Sequence, residues 1–185
     1  ITAHTASRRL MSIMMQPLGT IATANSTFVG QNWGAKKLER IREALKKVIG
    51  LELLWGIFAC CAAWIFGGAL VRITTGTSDE ETVQNAVLSL RLHLSFFPAL
   101  AVLLCLRTTM QAMGRKTAPV ISSCIELAMK ILSAWLLIPR LGFLGTCVTE
   151  PVTWVLMMIF LIAAYWVQNR RTLPLPEPSP RPSHV

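Results

Sequence analysis

Five apolar runs, at about residues 10–29, 48–70, 88–113, 118–138 and 144–167, occupy most of this chain. Each is close to the roughly 20 residues a helix needs to cross the hydrocarbon core of a bilayer. In that medium every backbone N–H and C=O must find its partner inside the protein, and a helix does this segment by segment. The runs therefore predict an all-α, polytopic membrane bundle of about five transmembrane helices over residues 1–167. Residues 168–185 follow as a basic and then proline-rich tail, expected to be disordered and cytoplasmic, because proline-dense segments cannot continue a packed helix. Composition points the same way. Of 185 residues, 53% are hydrophobic and only 15% charged, whereas soluble domains carry about 25% charged residues. The net charge of +9 would suit a nucleic-acid partner. Here, however, the basic residues cluster in short loops between apolar runs, with no aromatic–basic stripe. Membrane lipids, and no nucleic acid, are the expected surroundings.

The loop charges predict an orientation. The loop from Gly30 to Lys47 carries +4, Arg72 to Asn85 carries −2, Gly114 to Thr117 carries +2, Arg140 contributes +1, and the tail from Gln168 carries +2. Basic loops stay on the cytoplasmic side, so the first loop, the third loop and the tail are expected there. Arg8 and Arg9 fall on the opposite side and call for a partner or a preceding helix. In the first loop, Gly34 is expected to stop its helix in the left-handed conformation that glycine adopts at little cost. In the second, Thr77-Ser78-Asp79-Glu80-Glu81 reads as a helix start with acids in its first turn.

Within the spans, polar residues carry most of the information. The first span holds Pro17 and Gly19, and polar residues fill much of the rest. Proline frees a backbone carbonyl, which is tolerable where protein or a wet cavity satisfies it. Gln16, Pro17, Thr20, Thr23 and Asn25 are the expected cavity-lining residues. A charged group at bilayer depth costs roughly 2.5–3.5 kcal/mol on insertion scales and is seldom idle. Glu126 lies mid-span, with Lys130 one turn on in the favourable Glu-before-Lys order. This is either an internal ion pair that fixes packing or a cation or proton site. Glu150 stands early in the fifth span, where an acid also suits the helix dipole. Arg91, His93 and Arg107 lie in the third span and could reach the interface by snorkelling, while His93 could also serve as a proton relay. Glu126, Lys130, Glu150 and His93 are thus the coupling candidates. The five cysteines, Cys60, Cys61, Cys105, Cys124 and Cys147, sit in apolar stretches and read as packing residues, with no disulfide framework, zinc spacing or other metal site. No catalytic constellation of nucleophile, base and oxyanion donors is present, and an enzyme is not expected.

The stretch Phe28-Val29-Gly30-Gln31-Asn32-Trp33-Gly34-Ala35-Lys36-Lys37 resembles the signature that closes the eighth helix of multidrug and toxic compound extrusion (MATE) transporters. Gly30, Gln31, Asn32 and Gly34 are its motif residues. Leu106-Arg107 through Gln111-Ala112-Met113-Gly114-Arg115, with Pro119 and Ile125-Glu126-Leu127, resembles the tenth-to-eleventh helix region. Pro139-x-Leu141-Gly142-x-x-Gly145 and Glu150-Pro151-x-x-Trp154 are similar to the start of the twelfth. The resemblance implies helices eight to twelve of a twelve-helix secondary antiporter. Its seventh helix and N-terminal lobe would lie in a missing part of the same protein, which would be this chain's partner. It further implies multidrug or xenobiotic efflux: export of cationic, amphipathic small molecules in exchange for Na+ or H+, with no other cofactor. The setting would be a multi-pass protein of a cell membrane, as in the bacterial inner membrane. Some members of the family place coupling carboxylates on the seventh and tenth helices. The third span here, which would be the tenth, has none, so Glu126 is the strongest local acid. Two alternatives stand beside this: a lipid-linked precursor flippase of related fold, whose cavity would be richer in cations, and a truncated, non-transporting membrane protein.

Overall fold

The computed structural model describes residues 2–76 and 79–171. Its elements are α1 (Thr2–Gly34), α2 (Leu38–Thr75), α3 (Glu80–Ser95), α4 (Phe97–Ala112), α5 (Thr117–Leu136), α6 (Ile138–Leu141) and α7 (Phe143–Arg171). Among the described residues there is no strand. Helices α2, α5 and α7 are long and apolar enough to cross a membrane, and α3 with α4 makes a fourth such segment if the bent pair is one span. Helix α1 is long but not apolar enough to pass the same test, since serine, glutamine and threonine occupy one of its faces.

Apolar side chains line the outside of the bundle as well as its core. On α2, Leu54, Ile57, Trp64 and Ile65 are more than half exposed, and on α5 Leu127, Ile131 and Trp135 are too. A soluble protein rarely shows such contiguous apolar surface, but helices facing lipid require it. The chain is a multi-pass membrane protein. Inside, α2 buries the stripe Ile41, Leu45, Glu52, Gly56, Ala59 and Ala63, at the three- and four-residue spacing of one helical face.

The third apolar run departs from a single straight helix. Its segments α3 and α4 meet at Phe96 with a bend of 48°. Pro98, in the first turn of α4, explains the break: proline has no N–H to give the preceding turn, and its ring crowds the carbonyl four residues back. Across the break, a Cβ on Gly56 of α2 would stand 3.3 Å from the Pro98 nitrogen, so the small residue lets α2 close on the bend. The run also begins earlier than the hydropathy suggests, at Glu80. Asp79 caps it, accepting from the Thr82 N–H at 3.1 Å and from the Thr82 hydroxyl. The Thr82 hydroxyl, more than its N–H, holds the Asp79 carboxyl below the usual range. Thr77, Ser78 and the proline-rich segment 172–185 lie outside the described residues. The tail's first residues, expected to leave the bundle at Gln168, continue α7 as far as Arg171, where Arg170 stacks 3.5 Å over the Trp166 ring.

Helices α1 and α4 run parallel, with Asn25 beside Thr109 and Gly30 beside Ala112. The end of α1 and the Gly114–Lys116 turn therefore share one end of the bundle. The Arg115 guanidinium lies 5.2 Å from the Trp33 ring centroid across that end. Tyr165, near the end of α7, lies within electrostatic reach of Arg42 and Arg115. The first loop, the third loop and the end of α7 thus share one end of the bundle.

The first loop corrects one sequence expectation. Its left-handed residue is Lys36, with φ 57, and not Gly34. Lys37 N–H reaches Asn32 O at 2.9 Å and Lys36 N–H reaches Trp33 O at 3.0 Å, the paired six-to-one and five-to-two closure of a helix C-terminus. A residue with a Cβ in this conformation costs roughly 1–2 kcal/mol. Lys36→Gly should accordingly raise the unfolding free energy by about 1 kcal/mol, read as a higher melting temperature in detergent. An unchanged or lower value would show that the lysine side chain offsets the strain.

Candidate functional site

A cavity of about 1010 Å³ opens between α1 on one side and α5 and α7 on the other. Helix α1 does not pack against α5 or α7 among the described residues, and the gap is the cavity. The sequence of α1 explains its two-faced character. Gln16, Thr20, Thr23 and Thr27 recur at four, three and four residues and all line the cavity. Thr20 donates to Gln16 O at 3.0 Å and Thr23 to Gly19 O at 2.8 Å, so these hydroxyls are already satisfied within the helix. Leu18, Ala22, Asn25, Val29 and Asn32 form the opposite, buried stripe.

Asn25 therefore does not line the cavity. Its Nδ2 donates to Thr109 Oγ1 at 2.9 Å and to Cys105 Sγ at 3.7 Å on α4. Pro17 stands beside Gln16, half-buried, and is not part of the cavity wall either.

Two carboxylates lie in the wall, each held by cations. Glu126 on α5 meets Lys130 Nζ at 2.7 Å. Arg107 comes across from α4 to within 4.0 Å of the other carboxylate oxygen while donating to Ser123 Oγ. Lys130 was legible from the spacing, but Arg107 was not; it turns inward rather than to the membrane surface. The group carries a net positive charge.

Glu150 on α7 accepts from the Arg8 guanidinium of α1. This bond spans the cavity and supplies the partner that Arg8 lacked in the sequence. Glu150 Oε2 also lies 3.6 Å from Nε2 of His93 on α3, so Glu150 does more than favour a helix dipole. His93 is 3% exposed and turned into the bundle toward Glu150. Its Nδ1 is 2.6 Å from Ser89 O. A carbonyl can only accept, so Nδ1 carries a hydrogen there. Nε2 then faces the Glu150 carboxylate. Trp154 closes the back of the pair, its ring centroid 6.0 Å from that of His93.

The motif residues at the end of α1 lie away from the cavity. Gly30 faces the Ala112 carbonyl, where a Cβ would sit at 3.9 Å. Asn32 is buried and donates to Phe28 O at 2.9 Å, while Gln31 and Gly34 are exposed. They shape the turn on which Arg115 and Trp33 meet.

Sequence reasoning missed Glu52. It lies in the apolar run Gly50-Leu51-Glu52-Leu53-Leu54, and an acid in such a run was signal enough to single it out. It is fully buried, at 0% exposure, and both carboxylate oxygens lack a hydrogen-bond partner.

The MatE family model matches residues 1–136 of the chain. The comparison with curated proteins finds no match, and neither does the comparison with solved structures.

Proposed function

The chain belongs to the MatE family of membrane transporters, and on that premise we propose that it forms one wall of the substrate cavity of a secondary antiporter. The transporter exports amphipathic organic cations, drugs among them, across a cell membrane in exchange for Na+ or H+, with the basic end of the bundle cytoplasmic. One observation carries this reading: the cavity presents two carboxylates, Glu126 and Glu150, on a wall of methionine, threonine and tryptophan side chains. Met11, Met15 and Trp154 offer a polarisable surface for an apolar body, and tryptophan also favours a cation over its face. Lys130 is half exposed and can swing off Glu126. An arriving organic cation then replaces one positive charge with another, and no carboxylate is left bare in a low-dielectric space.

A lipid-linked anionic substrate is the second reading. Arg107 favours it by giving the Glu126 group its excess positive charge. Gradient-driven ethidium uptake into proteoliposomes carrying the full-length protein separates the two. The export reading expects uptake driven by a pH or Na+ gradient. A hydrogen bond to a charged group contributes about 1.5–3 kcal/mol, so Glu150→Gln should lower the initial rate by roughly tenfold or more. Wild-type vesicles that ignore ethidium but translocate an anionic polyprenyl diphosphate would replace this proposal with the flippase.

A further inference from the structure

The apolar runs contain three carboxylates: Glu52, Glu126 and Glu150. Glu126 is neutralised by Lys130 and Arg107, and Glu150 by Arg8 with His93 beside it. Glu52 has no such partner. It projects from the buried stripe of α2, one turn before Gly56, where α2 comes closest to α4. Cys105 of α4 lies within electrostatic reach of the carboxylate and accepts from Asn25 of α1. Asn25 Oδ1 is itself buried without a partner. The interface of α1, α2 and α4 thus holds three buried acceptor oxygens, two on Glu52 and one on Asn25, and no cation to meet them.

An isolated carboxylate buried in this way costs far more than its neutral acid, and such groups neutralise themselves. The charges facing Glu52 can be taken helix by helix. After its first turns α1 carries no ionisable residue from Leu10 to Gly34. On α3, Arg91 binds the Ala63 and Trp64 carbonyls, about three turns along α2, and His93 turns to Glu150. On α4, Arg107 turns to Glu126, and Cys105 is the ionisable side chain within electrostatic reach of Glu52, with Tyr165 of α7 in turn within reach of Cys105. A thiol brings no positive charge.

We propose that Glu52 is a proton-binding site, separate from the cavity and occupied by a proton in this conformation. The carboxylic acid then offers one O–H to its surroundings and presents no net charge to α1 and α4, which can pack against it. Loss of that proton would place a bare anion between three packed helices, so proton release requires the α1, α2 and α4 interface to open or admit water. This inference concerns the occupancy of Glu52 and stands whether or not the export reading does.

Infrared difference spectroscopy of the purified full-length protein tests it directly. At neutral pH the wild type should show the C=O stretch of a buried protonated carboxylic acid. Glu52→Gln, which keeps the shape and the neutrality, should lose that band, along with one proton released per chain on an alkaline jump. Glu126→Gln should leave the band in place. Should Glu52→Gln fail to fold, Cys105→Ser serves instead: it keeps the acid but changes its neighbour and should shift the band without removing it. A wild type with no such band, a band that survives in Glu52→Gln, or a band unmoved in Cys105→Ser would overturn the assignment. So would a band abolished by saturating NaCl at constant pH, which would give the site to an alkali cation.

Discussion

Replacing Gly145 with valine (Gly145→Val) should be the most destabilising single glycine substitution in the chain. Helix α5 ends at Leu136, α6 turns through Ile138–Leu141, and α7 sets out at Phe143, so the turn folds back tightly on itself. A Cβ at Gly145 would stand 2.7 Å from the Leu137 carbonyl oxygen, 2.9 Å from its carbon and 3.2 Å from Ile138 Cα. All three atoms are main chain and cannot rotate away as a side chain would. Inserting carbon into a well-packed site costs roughly 1–3 kcal/mol, and a branched residue against rigid atoms belongs at the upper end. In a chain of this size that corresponds to a melting temperature lower by roughly 5–10 °C. Gly68→Ala is the matched control, because nothing lies within 4 Å of its added methyl group and alanine favours a helix interior. Equal melting temperatures for the two variants would show that the α5–α7 turn is looser than its geometry. The turn also bears on the cavity: Glu126 stands before it and Glu150 after it, so the variant should lose transport in parallel with stability.

The architecture was legible because membrane burial leaves a strong imprint. Long apolar runs follow from the need to cross lipid with every backbone group paired. Cavity residues were legible only in part. Gln16, Thr20 and Thr23 fall on one helical stripe, whereas Asn25 is two positions beyond Thr23, on the far side of a helix turning about 100° per residue. Residue type alone placed Asn25 with the threonines; its angular position assigns it to α4. Partnerships across helices left no local trace. Arg8 and Glu150 are 142 residues apart, and nothing in the spacing near Arg107 indicates Glu126. Lys130 was foreseeable because it needs only one turn of one helix. The break at Phe96 was not anticipated, since residues 88–113 read as one span; Pro98 lies at the place, and the closeness of Gly56 that accommodates it belongs to packing. Glu52 is a different case, since an acid among leucines carried a plain signal, obscured by the strong hydropathy of the run around it.

Removing the Glu126 carboxylate altogether (Glu126→Ala) should have the largest effect on the cavity. Arg107 and Lys130, whose side chains are 26% and 50% exposed, would lose the anion that stands between them. Breaking a fully buried ion pair costs about 3–5 kcal/mol, chiefly because the surviving charge is left uncompensated. Exposure here screens part of that, and a loss of about 1–2 kcal/mol is expected. The same change takes away an attachment point for an organic cation and leaves the Lys130 ammonium in the cavity wall to repel it. The apparent affinity for ethidium in transport should therefore fall by more than tenfold, a larger loss than Glu150→Gln causes. A double-mutant cycle separates pairing from mere proximity. Glu126→Gln, Lys130→Met and the double variant should show a coupling above that of an exposed pair, because the Glu126 side chain is only 33% exposed and also faces Arg107. An exposed pair of this spacing gives only about 0.3–0.5 kcal/mol. Coupling at that lower level, with ethidium affinity unchanged in Glu126→Gln, would make the pair a solvated helix contact and leave substrate recognition to Glu150.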